Sequence, residues 1–232
     1  MLHDDPVEPG SSIFKETLLA ALAKLGIPIT VDQLERLETH FALMIDANRT
    51  MNLTRITEPA EAAIKHYADS LALLPWAATV DIGKATLLDI GTGAGFPAVP
   101  LAVMRPDWSI TAIDGTKKKI DFVRRVAAEI GLDHLAVQHG HSDHWRGGSS
   151  FDIVVTRAVA LLAQCIHTAR PHLAIGGRFV AYKTAEVSAE ETKHGEIVAK
   201  RSRLRIEFPY YYELDWGGER LLRSLRVASG MK

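Results

Sequence analysis

The feature that most constrains the fold is the alternation of short apolar runs with amphipathic stretches from Thr86 onward. The runs have the length of β-strands and read TLLDI, SITAID, LAVQH, FDIVVT and RFVAY. Helix-forming segments stand between most of them, and parallel strands require such crossover connections. We therefore predict an α/β fold in which right-handed βαβ units build a doubly wound, mainly parallel sheet with helices on both faces.

The C-terminal part follows a different pattern, which predicts an antiparallel addition to this sheet. Two β-rich runs, LRIEFPYYYEL and RLLRSLRV, are separated only by residues 215–218. A connection that short joins antiparallel strands, so we predict an antiparallel C-terminal hairpin at the edge of the sheet.

The first 75 residues have a helical pattern without alternating strands. Apolar residues at three- and four-residue steps predict a helix over 12–25 that ends at Gly26. Thr30 and Gln33 match the capping box of a second helix, and a third helix is predicted over 59–74. We expect an N-terminal helical cap, residues 1–75, followed by the α/β domain, residues 76–232.

The composition is typical of a globular protein of the cytoplasm. Hydrophobic residues make up 47% of the chain and charged residues 24%, which excludes disorder as the main state. Cys165 is the only cysteine, so neither an intramolecular disulfide nor a cysteine-based zinc cluster can form. The N-terminus lacks a signal-peptide pattern, and the apolar window 71–80 is too short to span a bilayer. We expect a cytoplasmic protein that does not contact a membrane.

The net charge of −1 hides an asymmetry along the chain. Residues 1–100 carry 13 acidic and 7 basic side chains, whereas residues 101–232 carry 15 acidic and 20 basic ones. Asymmetry of this kind is a hint of contact with nucleic acid or with a membrane, although many enzymes show it by chance. The near-zero net charge therefore does not exclude a polyanionic partner.

A glycine-rich loop follows the first predicted strand and indicates a nucleotide ligand. It reads DIGTGAGFP over residues 89–97, and glycines at such a turn let the backbone approach a ligand closely. Gly93, Gly95 and Ala98 satisfy the dinucleotide pattern G-x-G-x-x-G/A. Asp89, two residues before Gly91, instead resembles the start of the D-x-G-x-G-x-G loop of class I S-adenosylmethionine (SAM) methyltransferases.

An acidic residue at the end of the second predicted strand supports a nucleoside ligand. Asp114 lies 19 residues past Gly95, and a carboxylate there can accept hydrogen bonds from ribose hydroxyls. Dinucleotides and SAM both carry a ribose, so Asp114 does not distinguish between these two cofactors.

An ordered set of short strings resembles the RsmG (GidB) family of bacterial 16S ribosomal RNA guanine-N7 methyltransferases. Each string is modest, but their order along residues 52–227 is highly specific. The strings are NLT at 52–54, HYADSL at 66–71, LDIGTGAGFP at 88–97, ID at 113–114, KxxF at 119–122, TRA at 156–158, Lys183, and GER at 218–220.

The resemblance implies a class I SAM-methyltransferase, Rossmann-like fold and SAM-dependent methylation of one guanine in 16S ribosomal RNA, free or in the small ribosomal subunit. It implies SAM contacts at Gly91, Phe96, Ser142, Asp143 and Arg157. The glycine loop and the second strand add the further cofactor-binding candidates Asp89, Gly93, Gly95 and Asp114.

Two positions depart from the family pattern. Ala98 stands where glycine is usual, and Gly115 stands where serine is common. At position 98 one small residue replaces another. At position 115 a possible helix-capping hydroxyl is lost, and we expect the hydroxyl of Thr116 to cap the next helix instead. Neither change removes a group that the proposed chemistry requires.

Guanine N7 carries a lone pair and no proton, so its methylation requires orientation rather than a general base. We therefore expect no catalytic acid or base, and the positioning candidates are His66, Asp69, Arg157 and Lys183. His66 and Asp69 share one face of the third predicted helix. The alternative for His66 is a packed histidine, and the alternative for Arg157 and Lys183 is a solvated salt bridge.

Basic clusters and two residues before the third predicted helix are candidate RNA contacts. These candidates are Asn52, Arg55, Lys117, Lys118, Arg124, Arg201, Arg203 and Arg205, together with a C-terminal basic cluster of Arg220, Arg223 and Arg226. The alternative for each cluster is a solvated face.

The string HGHSDH over residues 139–144 supports an alternative function. It matches a zinc-ligand pattern of metallo-β-lactamase-like hydrolases, so a two-metal zinc hydrolase is the competing hypothesis. The string overlaps Ser142 and Asp143, and the βαβ rhythm does not fit a four-layer hydrolase, so no metal is expected. A SAM-binding, RNA-associated regulator without catalysis is a further alternative. One core accounts for the apolar stripes, so a monomer is expected.

Overall fold

The computed structural model describes residues 9–141, 145, 150–157, 161–184, 187–215 and 218–227. Eight strands of these residues form one sheet. The strands are β1 (Thr86–Ile90), β2 (Ser109–Asp114), β3 (Leu135–His139), β4 (Phe151–Arg157), β5 (Leu173–Thr184), β6 (Leu204–Ile206), β7 (Tyr210–Leu214) and β8 (Gly218–Val227).

The strand order is β3-β2-β1-β4-β5-β8-β6, with β7 paired to β8 outside this path. Strands β1 to β5 pair in parallel, whereas β8 is antiparallel to β5, β6 and β7. The predicted α/β class and the antiparallel C-terminal hairpin, β7–β8, are confirmed. The strand order reverses at β1, because β2 and β3 lie on one side of it and β4 and β5 on the other. In open α/β sheets a ligand crevice lies at such a point, so we expect one at the carboxyl ends of β1, β2 and β4.

Helices cover both faces of the sheet. They are α1 (Pro9–Lys24), α2 (Val31–Met51), α3 (Pro59–Ala62), a π-helix (Ala63–Ala68), α4 (Asp69–Leu71), α5 (Leu73–Thr79), α6 (Ala98–Met104), α7 (Lys117–Glu129), α8 (Leu162–Ala169), a 3-10 turn (Arg170–His172) and α9 (Ala189–Arg201). In the described part of the chain, none of these helices combines the length and the apolarity that crossing a membrane requires.

The N-terminal helices pack on one face of the sheet and share its core. Phe14 of α1 stacks on Phe41 of α2 with ring centroids 4.6 Å apart and meets the ring of Tyr67 edge-on at 4.9 Å. These rings belong to the same buried cluster as Leu87 of β1 and Val99 of α6. Helix α5 runs through residue 75, and the boundary between cap and α/β domain at that residue stays a prediction.

Helices α8 and α9 cover the opposite face. Ile166 and Ala199 pack there in a second buried cluster with Leu88 of β1, Val154 of β4 and Phe179 of β5. Each central strand therefore contributes alternate residues to two cores, which explains why the strands read as nearly continuous apolar runs.

The region of the third predicted helix differs in detail from the prediction. The helix starts at Pro59 as expected, but a π-helical segment, Ala63–Ala68, interrupts it. Helix α5 then continues to Thr79, five residues past the predicted end. A wider helical turn changes which side chains share a face, so the helical spacing used for His66 and Asp69 does not apply unaltered.

Three further differences have identifiable causes. Helix α9 was not predicted, and the first β-rich run of the tail divides into β6 and β7 around Pro209, which cannot donate to a sheet ladder. Thr116 occupies the N-cap of α7, but its side chain makes no capping bond. Its backbone N–H donates to Asp114 Oδ1 at 2.7 Å, which forms a turn ahead of the helix, so the predicted hydroxyl cap is wrong.

Candidate active site

The glycine loop makes its turn at the carboxyl end of β1 with backbone angles that favour glycine. Gly93 has φ +59° and Gly95 has φ +100°, both in the region that residues with side chains rarely adopt. A Cβ on Gly95 would lie 2.6 Å from Cγ2 of Val99, whereas a Cβ on Gly93 would meet nothing within 4 Å. Gly95 is therefore required by helix packing, and Gly93 borders open space that a ligand can occupy.

Backbone hydrogen bonds join this loop to the end of β2. The N–H groups of Gly91 and Thr92 donate to the carbonyl oxygen of Ile113 at 2.9 and 3.0 Å. The N–H of Gly93 donates to Asp114 Oδ2 at 3.0 Å. The loop is thus held in place by the strand that carries the predicted ribose-binding carboxylate.

Asp114 retains hydrogen-bonding capacity for a ligand. A carboxylate accepts about four hydrogen bonds, and the backbone of Gly93 and Thr116 supplies one to each oxygen. The two hydroxyl groups of a ribose are donors of the kind that the remaining lone pairs accept. The residues present therefore fit the nucleoside part of SAM.

Asp89 is fully buried beneath the loop and accepts a backbone hydrogen bond at the start of α6. Its Oδ2 accepts the N–H of Ala98 at 3.3 Å, which occupies the first backbone donor of the helix. Burial raises the pKa of Asp89 to about 7, against the opposing effects of the Thr92 hydroxyl, the Ala98 N–H and the Arg157 charge. The N–H of Val99 donates to the carbonyl oxygen of Gly95 at 2.7 Å, and Pro100 has no N–H. The first turn of α6 therefore offers no free donor to a dinucleotide pyrophosphate, which favours the SAM interpretation.

Phe96 is the centre of an aromatic cluster beside the loop. The ring of His66 stacks on it with centroids 4.6 Å apart and planes 16° apart. The Arg157 guanidinium carbon lies 5.2 Å from the ring centroid, within cation–π range. Phe96 is 4% exposed, so it forms a wall beneath these side chains rather than an open surface.

His40 of α2 holds the loop from the cap. Its Nε2 lies 2.9 Å from the carbonyl oxygen of Ala94, and because a carbonyl only accepts, Nε2 carries the proton. Nδ1 then accepts the hydroxyl of Tyr67 at 3.2 Å. Burial lowers the pKa of His40 to about 4, so the ring is neutral at pH 7.

His66 is a buried, neutral histidine in contact with Arg157. The Arg157 guanidinium only donates, so Nδ1 of His66 accepts Nη2 at 3.3 Å and Nε2 donates to Thr54 Oγ1 at 2.8 Å. Burial, followed by the positive charges of Arg157 and His40, lowers the pKa of His66 to about 3. His66 is thus a packed histidine, as the alternative predicted, and its ring also stacks on Phe96 beside the glycine loop. Its positioning role stays a prediction.

Asp69 is surrounded by donors from three strands. Its Oδ1 accepts the Tyr212 hydroxyl at 2.6 Å and Arg220 Nε at 3.0 Å. Its Oδ2 accepts Arg157 Nη1 and Arg220 Nη2, each at 3.2 Å. With 2% exposure and four hydrogen bonds, Asp69 orients the two arginines and has no capacity left for a substrate.

The sequence did not indicate two members of this cluster. Tyr212 was part of a β-rich run with no functional signal, and Arg220 was a candidate RNA contact of the C-terminal basic cluster. Arg220 lies 151 positions from Asp69 in the chain, and no local pattern relates the two. The only signal was the GER string of the family resemblance.

Lys183 lies apart from the Asp69 cluster in its own ion pair. Its Nζ is 2.8 Å from Glu191 Oε1, and the N–H of Leu162 donates to the same oxygen at 3.0 Å. The Lys183 and Glu191 side chains are only 16% and 18% exposed, so the pair is less solvated than the predicted alternative. Its positioning role stays a prediction.

The RNA-contact candidates outside β8 occupy three separate surfaces. Asn52 and Arg55 are exposed in the loop that contains Thr54, beside His66. On α7, Asp121 pairs with both Lys117 and Arg124, at 2.7 and 3.4 Å, which reduces the positive charge of that cluster. Lys118 is exposed on the same helix, and the third surface, at the β6 edge of the sheet, is formed by the exposed Arg201, Arg203 and Arg205.

The remaining cofactor candidates, Ser142 and Asp143, lie outside the described residues. The same holds for His144 of the zinc-ligand string. His139 Nε2 lies 3.1 Å from the carbonyl oxygen of Gly115, and no group of three potential metal-binding side chains occurs within the described ranges. The geometry therefore gives no support to the zinc hydrolase.

The fold and the glycine loop define a class I methyltransferase, and solved structures share this fold. A methyltransferase from Pyrococcus furiosus matches with a TM-score of 0.52 and 14% identity over 83% of this chain and 98% of that chain. A SAM-dependent methyltransferase from Methanosarcina mazei matches with a TM-score of 0.51 and 17% identity over 66% of this chain and 95% of that chain. At these identities the likeness concerns the fold.

The sequence comparisons define the family more closely. Residues 33–210 match the GidB family model, described as rRNA small subunit methyltransferase G, and this protein belongs to that family. A relative of that name from Lachnoclostridium phytofermentans is 38% identical over 178 residues, 75% of this chain and 73% of the relative. One from Leuconostoc mesenteroides is 34% identical over 212 residues, 90% of this chain and 88% of the relative.

Proposed function

We propose that this protein transfers the methyl group of SAM to N7 of a guanine in 16S ribosomal RNA. The observation that carries the proposal is the glycine loop, tied by Gly93 to Asp114 at the crevice between β1 and β2. Family membership supports the ribosomal RNA substrate. Neither the geometry nor the relatives support the zinc hydrolase.

The glycine loop and Asp114 are the residues that would hold the nucleoside part of SAM. Gly93 lets the backbone approach, and Asp114 accepts ribose hydroxyls with its remaining lone pairs. Asp89 supports the loop from below through Ala98. When bound, SAM supplies a methyl group attached to a positively charged sulfur.

We propose that His66 and Arg157, which contact Phe96, orient the guanine and do not transfer a proton. N7 has a lone pair, so alignment of the two reacting atoms is the main requirement. His66 is neutral at pH 7, which avoids a second positive charge beside Arg157. We propose that the base enters from the side of Asn52 and Arg55 and is positioned by His66 and by Arg157, with Asp69 acting through Arg157.

The wider proposals follow from the same assignment. Residues 1–75 act as the helical cap, and residues 76–232 as the methyltransferase domain. The protein works as a monomer in the cytoplasm, where its ribosomal RNA substrate is found. Lys183 is proposed as a further positioning residue. The proposed contacts of the RNA backbone are Lys117, Lys118, Arg124, Arg201, Arg203 and Arg205.

The decisive experiment is the transfer of labelled methyl from SAM to deproteinised 16S ribosomal RNA and to assembled small subunits. We expect incorporation into at least one substrate and a single N7-methylguanine after mapping of the modified base. Binding of SAM and RNA without incorporation into either substrate would instead identify a regulator. Incorporation at another atom or base would contradict the assigned chemistry.

A further inference from the structure

A groove of about 540 Å³ lies at the edge of the sheet formed by β6. Its lining comes from β6, from the loop between β6 and β7, from β8, and from the end of α5. None of the active-site residues lines this groove, but two of the candidate RNA contacts, Arg205 and Arg226, do.

The groove lies at the end of the sheet away from the active site. On β8, Arg220 pairs in register with Thr184 at the end of β5, whereas Arg226 pairs with Arg178 six residues earlier on β5. Six residues of extended strand span about 20 Å. Arg220 binds Asp69 at the crevice, so Arg226 and the groove are about 20 Å from it along β8.

An aromatic ring projects from the loop at this groove. Phe208 is 96% exposed, and its neighbours Glu207 and Pro209 are half-buried. Burying a phenyl ring is favourable by about 1.5–3 kcal/mol, so an exposed ring in the lining of a groove is available for contact with a partner.

The charged groups around Phe208 leave a net positive surface. Glu207 accepts Nε of Arg178 with both carboxylate oxygens, at 3.1 and 3.2 Å, so its charge is compensated. Within the described ranges, Arg205 and Arg226 form no ion pair. Arg226 uses Nε for the carbonyl oxygen of Gly176, which orients the guanidinium and leaves its terminal donors available.

We propose that this groove binds a single-stranded segment of ribosomal RNA, with one base stacked on Phe208 and the adjoining phosphates on Arg205 and Arg226. Exposed aromatic rings stack on bases of any sequence, and guanidinium groups bind phosphates. The two uncompensated guanidinium groups favour a polyanion over an apolar peptide or a second copy of the chain. The inference rests on the proposed function, because it assigns a second contact to the same RNA substrate.

A second contact 20 Å from the crevice has a consequence for the substrate. The RNA must reach both ends of the sheet at once, so a fragment too short to span about 20 Å, roughly six stacked nucleotides at about 3.4 Å each, cannot occupy both sites. The groove therefore favours RNA long enough to bridge the two contacts, and it does so through the Michaelis constant (KM) rather than through the chemical step.

The test uses the full-length protein and a labelled single-stranded oligoribonucleotide of about ten nucleotides. Phe208→Ala is expected to raise its Kd between about fivefold and a hundredfold, and Phe208→Trp is expected to retain binding. Arg205→Gln with Arg226→Gln is expected to flatten the dependence of log Kd on log salt. Val31→Ala is the matched control, because Val31 is 74% exposed on α2, outside the groove.

Methyl-transfer kinetics separate the groove from the active site. Phe208→Ala is expected to raise KM for ribosomal RNA while kcat and the Kd for SAM stay unchanged. An oligonucleotide Kd and an RNA KM that are unaffected by Phe208→Ala would overturn the proposal, as would wild-type self-association that Phe208→Ala abolishes. A wild type that binds the oligonucleotide through Phe208 but transfers no methyl group would refute the proposed function and leave the groove assignment in place.

Discussion

The carboxylate of Asp69 and the guanidinium of Arg220, 151 positions apart in the chain, are joined by hydrogen bonds of 3.0 and 3.2 Å. The parallel, two-point geometry is the strongest that an arginine and a carboxylate form. It fixes the start of α4 to β8, and Arg157 attaches β4 to the same carboxylate. Three parts of the chain therefore depend on one buried negative charge.

We predict that Asp69→Asn destabilises the protein by about 3 kcal/mol, because two largely buried guanidinium groups lose their counter-charge. Urea denaturation measures this change. Asp107→Asn is the control, since Asp107 pairs with Arg105 at a more exposed position, 38% against 2% for Asp69, and is expected to lose less than about 1 kcal/mol. Equal losses in the two variants would show that the Asp69 cluster does not carry this stability.

The role of the glycine loop is tested by Gly93→Ala. The new Cβ would project into the open space assigned to SAM, so we expect the Kd for SAM to rise by about tenfold or more. Calorimetry or fluorescence titration with SAM measures the change.

Gly131→Ala is the matched control for this substitution. Gly131 has φ +67° and also open space around it, so it suffers similar backbone strain, about 1 kcal/mol, at the end of α7. We expect its stability to fall as in Gly93→Ala and its SAM affinity to stay unchanged. Equal losses of SAM affinity in the two variants would show that backbone strain, and not blocked access of SAM, weakens binding.

The buried His40 makes the protein sensitive to acid. Its pKa is about 4 in the folded state and near 6.5 when exposed, so between these values the unfolded chain binds a proton that the folded chain does not. Its contribution to stability is present above pH 6.5 and is lost as the pH falls toward 4. The difference in pKa corresponds to about 3 kcal/mol.

We therefore predict that His40→Gln is most destabilising at pH 7 and that the difference from wild type shrinks by about 3 kcal/mol at pH 4. Unfolding curves at both pH values give the result. His167→Gln, on the exposed side of α8, is the control. A constant difference for His40→Gln at the two pH values would contradict the neutral, buried ring.

The basic residues at the β6 edge are tested through the salt dependence of RNA binding. Replacing Arg201, Arg203 and Arg205 together by glutamine is expected to reduce the slope of log affinity against log salt by about 2. The comparison is the triple glutamine variant of Lys117, Lys118 and Arg124, whose charges Asp121 partly compensates. We expect a smaller change there, and an unchanged slope in the first variant would remove the β6 edge from the RNA interface.

Local patterns predicted the parts of this structure that local chemistry determines. The strand runs, the glycine loop and the capping box of α2 each follow from neighbouring residues, and all three are present. Asp114 was expected to bind a ligand; it accepts the N–H of Gly93, and its role toward a ligand stays a prediction. The resemblance predicted the family, which the sequence comparisons confirm.

Features that depend on tertiary packing were not predictable in this way. Helix α9 contains Gly195 in its interior, a residue that disfavours helices. A Cβ at that position would lie 2.6 Å from Cδ2 of Leu162, so close packing on α8 requires glycine. The hydrogen bonds of Asp69 to Tyr212 and Arg220 likewise form only when parts of the chain 143 and 151 positions apart fold together.

The hydrogen bond from His40 to the carbonyl of Ala94 makes α2 part of the support for the cofactor loop. A shortened chain that began after α2 would leave this carbonyl without its donor and the loop without its backing. We therefore expect the sheet and its own crossovers to bind SAM more weakly without α2. Fraying of the N-terminal helices and release of SAM are expected to be one coupled event, in which the cofactor and the cap stabilise each other.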